Sequence, residues 1–318
     1  MSLKLLTIVS IIIALIAGIS IVYAMPPSDD FNPENTYWNG MSTAKTELNL
    51  QPLNIGVERL DPSSSTLLII GPSKPITDGE VESIKSYVSR GGLLILADDF
   101  GTGNSLLERL DVKFRLHGSL LVDPLFKERG KALPKIVKLE KTPTHVKELV
   151  LNYATIIEGS GFRVLASSSS FSYLDLNLNF KHDADEPKGP FPVIVEASYG
   201  KGKIIVISDS SFLINSMVKL GDNLEFVRAI AGDRRMLLDI SHWKPSLHAE
   251  AKTTLLYFFS LLNIPEVKYS AIMLALIFIS MVKIKPAKTF ISEVEEVLKR
   301  HPTWNKKLLE RLNKELRK

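Results

Sequence analysis

The residues of this 318-residue chain best suited to chemistry are a glycine–aspartate run, Asp98-Asp99-Phe100-Gly101-Thr102-Gly103-Asn104, and a shorter run, Asp209-Ser210-Ser211, with Asn215 close behind. Each follows an apolar stretch of strand type, residues 93–97 and 203–208. In an open parallel sheet, ligands lie beyond the carboxyl ends of the strands, so Asp98, Asp99 and Asn104 on one turn can face a crevice shared with Asp209 and Ser210 on another. Two readings stand side by side. Asp, Ser and Asn at such positions cap the helix that follows. The same groups can hold a polar ligand or a cation, although carboxylates alone do not specify one. Side chains of adjacent residues diverge at an extended strand end, which suits Asp98 and Asp99 to capping more than to a shared-proton pair.

Several chemistries are excluded by what the chain lacks. It has no cysteine, which removes disulfides, thiolate metal sites and a thiol nucleophile. No Gly-x-Ser-x-Gly elbow occurs, and His242 and His248 fall beyond the last expected strand, so Ser210 and Ser211 have no evident base. His182-Asp183-Ala184-Asp185-Glu186 has metal-ligand residue types but reads as a solvated acidic loop. Gly101-x-Gly103 has too few glycines for a dinucleotide fingerprint, and Gly200-Lys201-Gly202 lacks a phosphate-loop frame. No catalytic residue, metal ligand or cofactor is therefore expected.

The elements that must position these residues alternate between strand and helix. A helix is expected over 42–49, a short strand over 53–59 and a buried strand over 66–70, ended by Gly71-Pro72-Ser73. Thr77 with Glu80 three residues on predicts a capped helix over 77–89, and Gly91-Gly92 stops it. A strand over 93–97 and a helix from Asn104 to Leu110 follow. Residues 112–180 suggest short β segments, then 191–198 and 203–208 read as a hairpin about Gly200. One or two helices over 212–231 and a last strand over 236–240 complete the pattern of an open, mostly parallel sheet with helices on both faces.

Two apolar stretches bracket this body. Residues 5–24 carry no charge and are long enough to cross a bilayer, and as a signal sequence their apolar region would be unusually long. Residues 267–284 are less secure, because Lys268 and Lys283 must snorkel; a buried helix is the rival reading. Residues 253–264 read as the last core helix. Lys4 before the first stretch and Lys283, Lys285 and Lys288 after the second predict cytoplasmic termini, 1–4 and 285–318, around an extracytoplasmic body, 25–266. From Lys283 onward, eleven Lys/Arg against five Glu give a net +6, more than the whole chain's +4, so the rest is acidic and nucleic-acid binding is not expected. Residues 292–300 and 305–317 read as two amphipathic helices, fit to lie on anionic lipid or to dock a cytoplasmic protein.

Asn39-Gly40, Gly71-Pro72, the block Gly91-Gly92 through Gly103-Asn104, Gly200-Lys201-Gly202, Asp209-Ser210-Ser211-Phe212 and Asp222-Asn223 together resemble the prokaryotic "domain of unknown function 4350" family over about residues 35–235. That resemblance implies a class I glutamine-amidotransferase-like fold, a two-anchor layout and a MoxR-type AAA ATPase as a cytoplasmic partner. Where amidotransferase-like enzymes carry a nucleophilic cysteine, this chain offers carboxylates, an amide and Thr102. The expected protein is a membrane-tethered, non-catalytic domain binding an unspecified ligand or protein, with Asn39, Gly40, Ser73, Asp98, Asp99, Asn104, Asp209, Ser210 and Asn215 as candidate ligand-binding residues. A hydrolase using strand-end carboxylates, with or without a metal, and a structural subunit of a membrane complex are the alternatives.

Overall fold

The computed structural model describes residues 3–53, 56–140, 145–281 and 293–316. Its main sheet has eight strands: β1 (Gln51–Leu53), β2 (Ser65–Ile70), β3 (Leu93–Ala97), β4 (Lys138–Leu139), β5 (Arg163–Ser167), β6 (Pro192–Tyr199), β7 (Gly202–Ile207) and β8 (Arg235–Asp239). Their order is β1-β8-β2-β3-β7-β6-β5-β4. The first five run parallel, while β6, β5 and β4 extend the sheet by antiparallel pairing. The architecture is thus mixed α/β with a mainly parallel core. The antiparallel extension arises because β6 reaches β7 through the two-residue turn Gly200-Lys201, too short for the crossover a parallel neighbour requires.

The parallel strands are apolar on both faces, as expected of a sheet covered on each side. Leu67, Ile69, Leu94 and Leu96 pack on one face against α3 (Asp78–Ser89) and α4 (Gly103–Arg109). Leu68, Ile70, Ile95 and Ile207 face the other way, toward α2 (Ser42–Glu47), Phe212 and α5 (Asn223–Ala231). The α3 start has the predicted capping box: Thr77 accepts from the Glu80 amide at 3.4 Å, and Glu80 accepts from the Thr77 amide at 2.7 Å. Residues 112–180 contribute short ribbons rather than long strands, among them Phe114–Leu116 with Ile157–Gly159 and Leu120–Val122 with Tyr173–Asp175. The strand expected over 53–59 ends at Leu53, and Val57–Arg59 forms a single helical turn. The helix expected from residue 212 starts only at Asn223.

The two apolar brackets differ. The first is α1 (Leu3–Ala24), whose segment Leu6–Ala24 is long and apolar enough to span a bilayer, with none of it buried. Among the described residues no second helix reaches that standard alone. α6 (Leu247–Leu262) and α7 (Pro265–Met281) meet it only as a pair bent by 90°, the form of a broken span or a re-entrant loop. The reason is local: Asn263 and Pro265 interrupt the helix, and the 17 residues of α7 rise only about 25 Å. Residues 282–284 of the predicted span lie outside the described residues. The reading of 253–264 as a core helix is also corrected, because no residue of α6 is buried. Downstream, α8 (Glu293–Arg300) and α9 (Lys306–Leu316) form the expected helix pair, broken at a turn where His301 stacks on Trp304, 4.5 Å between rings.

Candidate functional site

The carboxyl ends of β3 and β7 carry the three aspartates. Asp98 leaves β3 almost fully buried, and its two oxygens accept from the Gly101 amide at 3.1 Å and the Gly103 amide at 2.7 Å. The glycines are there for space: a Cβ at Gly101 would come within 2.5 Å of the Asp98 side chain, and one at Gly103 within 2.6 Å. Asp98 therefore folds the turn onto itself and caps α4. Asp99 points the other way, accepting from its neighbour Phe100 at 2.7 Å and from the Ser210 hydroxyl at 2.9 Å.

Asp209, fully buried at the end of β7, accepts from the Asn152 amide at 2.7 Å and the Ser211 amide at 2.7 Å. All six carboxylate oxygens of the three aspartates thus have donors from the chain itself. Burial pushes the Asp209 carboxyl up to about 7, with the Asp99 charge adding to the effect. Burial likewise pushes Asp98 up to about 6, the Gly103 hydrogen bond opposing and the Asp99 charge reinforcing. Asp99 itself is raised, again by burial. Asp99 is the electrostatic link between the two turns. Among the described residues, no three His, Asp or Glu are grouped to hold a metal ion.

The other candidates fall into separate places. Asn39 donates to the Ser28 carbonyl and Asp30, and Gly40 lets the chain pass so close to Asn35 that a Cβ would lie 2.0 Å from its carbonyl oxygen. Asn215 binds this same segment, donating to the carbonyls of Asn35 and Tyr37 and accepting from the Thr43 amide. Asn39, Gly40 and Asn215 are thereby brought together, joining the lead-in to the loop after β7. Asn104 instead holds the Phe114–Leu116 strand by paired 2.8 Å bonds to the Leu116 amide and carbonyl. Ser73 accepts from the Lys244 amide at 3.0 Å, and its own amide donates to the His242 carbonyl at 2.8 Å.

His242 and its surroundings are the part that the sequence reading missed. Its Nδ1 lies 2.5 Å from Asp239, at the end of β8, and its Nε2 lies 3.5 Å from Glu80 of the α3 capping box. The hydrogen bond to Asp239 holds the imidazole above its usual range against the opposing effect of burial. Next to it, Trp243 donates to the Ile70 carbonyl at 2.6 Å, and its ring lies 6.3 Å from that of Phe31. Phe31 fills the space over Gly71, where a Cβ would meet the ring at 2.5 Å. The Asp239-x-x-His242 spacing was the only available signal, since Glu80 and Phe31 are distant in sequence. Two segments of the chain, Asp29–Phe31 and Ser241–Ser246, meet over the end of β2; the Ser246 amide donates to Asp29 at 2.6 Å, and Lys252 donates to the Met25 carbonyl at 2.7 Å.

Comparison with solved structures gives distant likenesses. The N-terminal domain of mmIFT52 matches at 15% identity, TM-score 0.40, over 52% of this chain and 74% of that one. A cytoplasmic protein from Salmonella typhimurium LT2 matches at 15% identity, TM-score 0.36, over 60% and 84%. A β-galactosidase from Bacillus circulans sp. alkalophilus matches at 15% identity, TM-score 0.36, over 58% of this chain but only 26% of its own length. At these scores the likenesses carry no argument about function. No curated protein matches the chain by sequence. The profile of the family described as "Domain of unknown function (DUF4350)" matches residues 33–231, and the chain belongs to that family.

Proposed function

We propose that this protein is a membrane-tethered, non-catalytic α/β module that binds a ligand or protein through its main domain and engages a cytoplasmic partner through its basic tail. One observation carries the non-catalytic part: every oxygen of Asp98, Asp99 and Asp209 is already engaged by a donor of the same chain. A ligand or cation there would compete for oxygens that already hold the turns after β3 and β7. The tether is α1, with α6 and α7 as the second, bent crossing that returns the tail to the cytoplasm. The partner, a MoxR-type AAA ATPase, rests on the family resemblance and on the apolar stripes of α8 and α9.

Because the chain has no cysteine, single cysteines introduced at the exposed Ser28, Ser170 and Asn305 report sidedness without background. In intact cells a membrane-impermeant maleimide is expected to label the first two and spare the third. Labelling of all three would refute the two-crossing topology. Co-purification of the ATPase with the full chain is expected to fail after deletion of residues 292–318 and to survive Asp98→Asn. Retention without the tail would remove the docking role.

A second reading, a structural subunit of a membrane complex, is favoured by the way the strand-end side chains are engaged within the chain, Trp243 with the Ile70 carbonyl among them, although Phe31 and Trp243 still border a hollow of about 400 Å³. It predicts that the main domain binds no small molecule at that edge.

A further inference from the structure

The amino edge of the parallel strands has the opposite character. A cleft of about 550 Å³ opens on the α5 face among the starts of β3, β5, β7 and β8. Arg163, Lys201, Lys203 and Arg234 line it, with Glu196 as the one carboxylate, over an apolar floor that includes Leu93, Leu165 and Ile230. Glu196 is already neutralised, 2.8 Å from Arg163 and 3.3 Å from Lys203. Arg234 sends Nη1 to the carbonyls of Pro62, Ser65 and Gly91 at 2.8, 3.2 and 3.2 Å. Carbonyls fix the guanidinium without cancelling its charge, and its Nη2 edge keeps donors for a ligand.

Lys201 is held as firmly from below. Its amide donates to the Ser89 carbonyl at 2.9 Å, and Gly200, at φ +58°, packs where a Cβ would lie 2.7 Å from Ser89. Gly202 sits so close to β3 that a Cβ would lie 2.2 Å from the carbonyls of both Gly92 and Val88. The glycines of Gly200-Lys201-Gly202 therefore lock the turn against α3 and β3, and the lysine between them stands exposed at the cleft. Two cations without a carboxylate partner, a guanidinium fixed by carbonyls and an ammonium carried on a fixed turn, line one cleft over an apolar floor and suit a small organic dianion.

We infer that this cleft is a binding site for a small phosphomonoester, with Lys201 and Arg234 taking the phosphate and the apolar floor taking its carbon portion. The inference stands whether or not the tail docks an ATPase. Calorimetric titration of the full chain, in a neutral detergent at fixed ionic strength, with glycerol 3-phosphate is expected to give saturable one-to-one binding. Lys201→Gln is expected to weaken it about tenfold through the lost charge-assisted contact. Glu196→Gln, which releases Arg163 and Lys203, is expected to tighten it, and Arg228→Gln, outside the cleft, to leave it unchanged. Arg234 also braces three carbonyls, so Lys201→Gln carries the test if an Arg234 variant does not fold. Lysophosphatidic acid as competitor separates the sources: tighter binding than glycerol 3-phosphate marks a lipid headgroup, equal binding a soluble metabolite. Absence of saturable binding, or equal weakening by Lys201→Gln and Arg228→Gln, overturns the inference.

Discussion

The two edges of one sheet solve opposite problems. At the carboxyl edge of β2, β3, β7 and β8, where open α/β sheets usually receive ligands, this chain satisfies its carboxylates internally and packs Phe31 and Trp243 over the end of β2, beside a hollow of about 400 Å³. At the amino edge it leaves cations without a carboxylate partner lining a cleft. The difference teaches that the glycines and aspartates after β3 build the scaffold, while the uncompensated charge lies behind them.

If the carboxyl edge is structural, breaking it should cost stability first. Trp243→Ala removes a half-buried ring and its bond to the Ile70 carbonyl, and is expected to destabilise the main domain by about 3 kcal/mol, read as a fall in the denaturation midpoint. A variant as stable as the parent would show that the ring is held for a ligand rather than for the fold.

The aspartates sharpen the same point through pH. Asp98 at about 6 and Asp209 at about 7 lie above the value near 4 of an unfolded aspartate. Both states are protonated below pH 4, so the folded form is least burdened there; stability falls as pH rises through the folded values and levels off above them. Between pH 5 and 8 the two groups together are expected to cost about 4 kcal/mol, the larger part from Asp209. Asp209→Asn should flatten that slope, and a parent whose stability rises over this interval would contradict the account.

How much of this was readable depends on the distance between partners. Thr77 with Glu80, and Asp98 with Gly101 and Gly103, interact within one turn, so residue type and spacing were enough. The alternation of strand and helix made the mixed sheet legible as well, except that the hairpin at Gly200-Lys201 turns one side antiparallel. His242 with Glu80, Phe31 over Gly71, and Arg234 beside Lys201 join residues far apart in the chain, and no local pattern marks them. Hydropathy found the apolar content of residues 253–281 but is blind to direction, so the 90° bend between α6 and α7 passed unnoticed.

His242 provides a smaller test at the carboxyl edge. Its raised imidazole gives stability that is fully present below the unfolded value near 6.5 and is lost as pH rises through the folded one. His242→Gln is therefore expected to cost about 1 kcal/mol at pH 6 and less once the pH has risen through the folded value. A cost that grows with pH would mean that the Asp239 and Glu80 contacts do not favour the charged ring.

The smallest stability effect belongs to the open edge. Lys201 is exposed, and its backbone, not its side chain, pins the turn, so Lys201→Gln is expected to change stability by less than about 0.5 kcal/mol. Phosphate should nevertheless raise the melting temperature of the parent more than that of the variant, since only the folded cleft gathers the cations. Equal gains in parent and variant would make the amino edge as inert as the carboxyl edge, and the contrast between them would vanish. A gain lost with Lys201 alone, at unchanged stability, separates binding from folding at one residue.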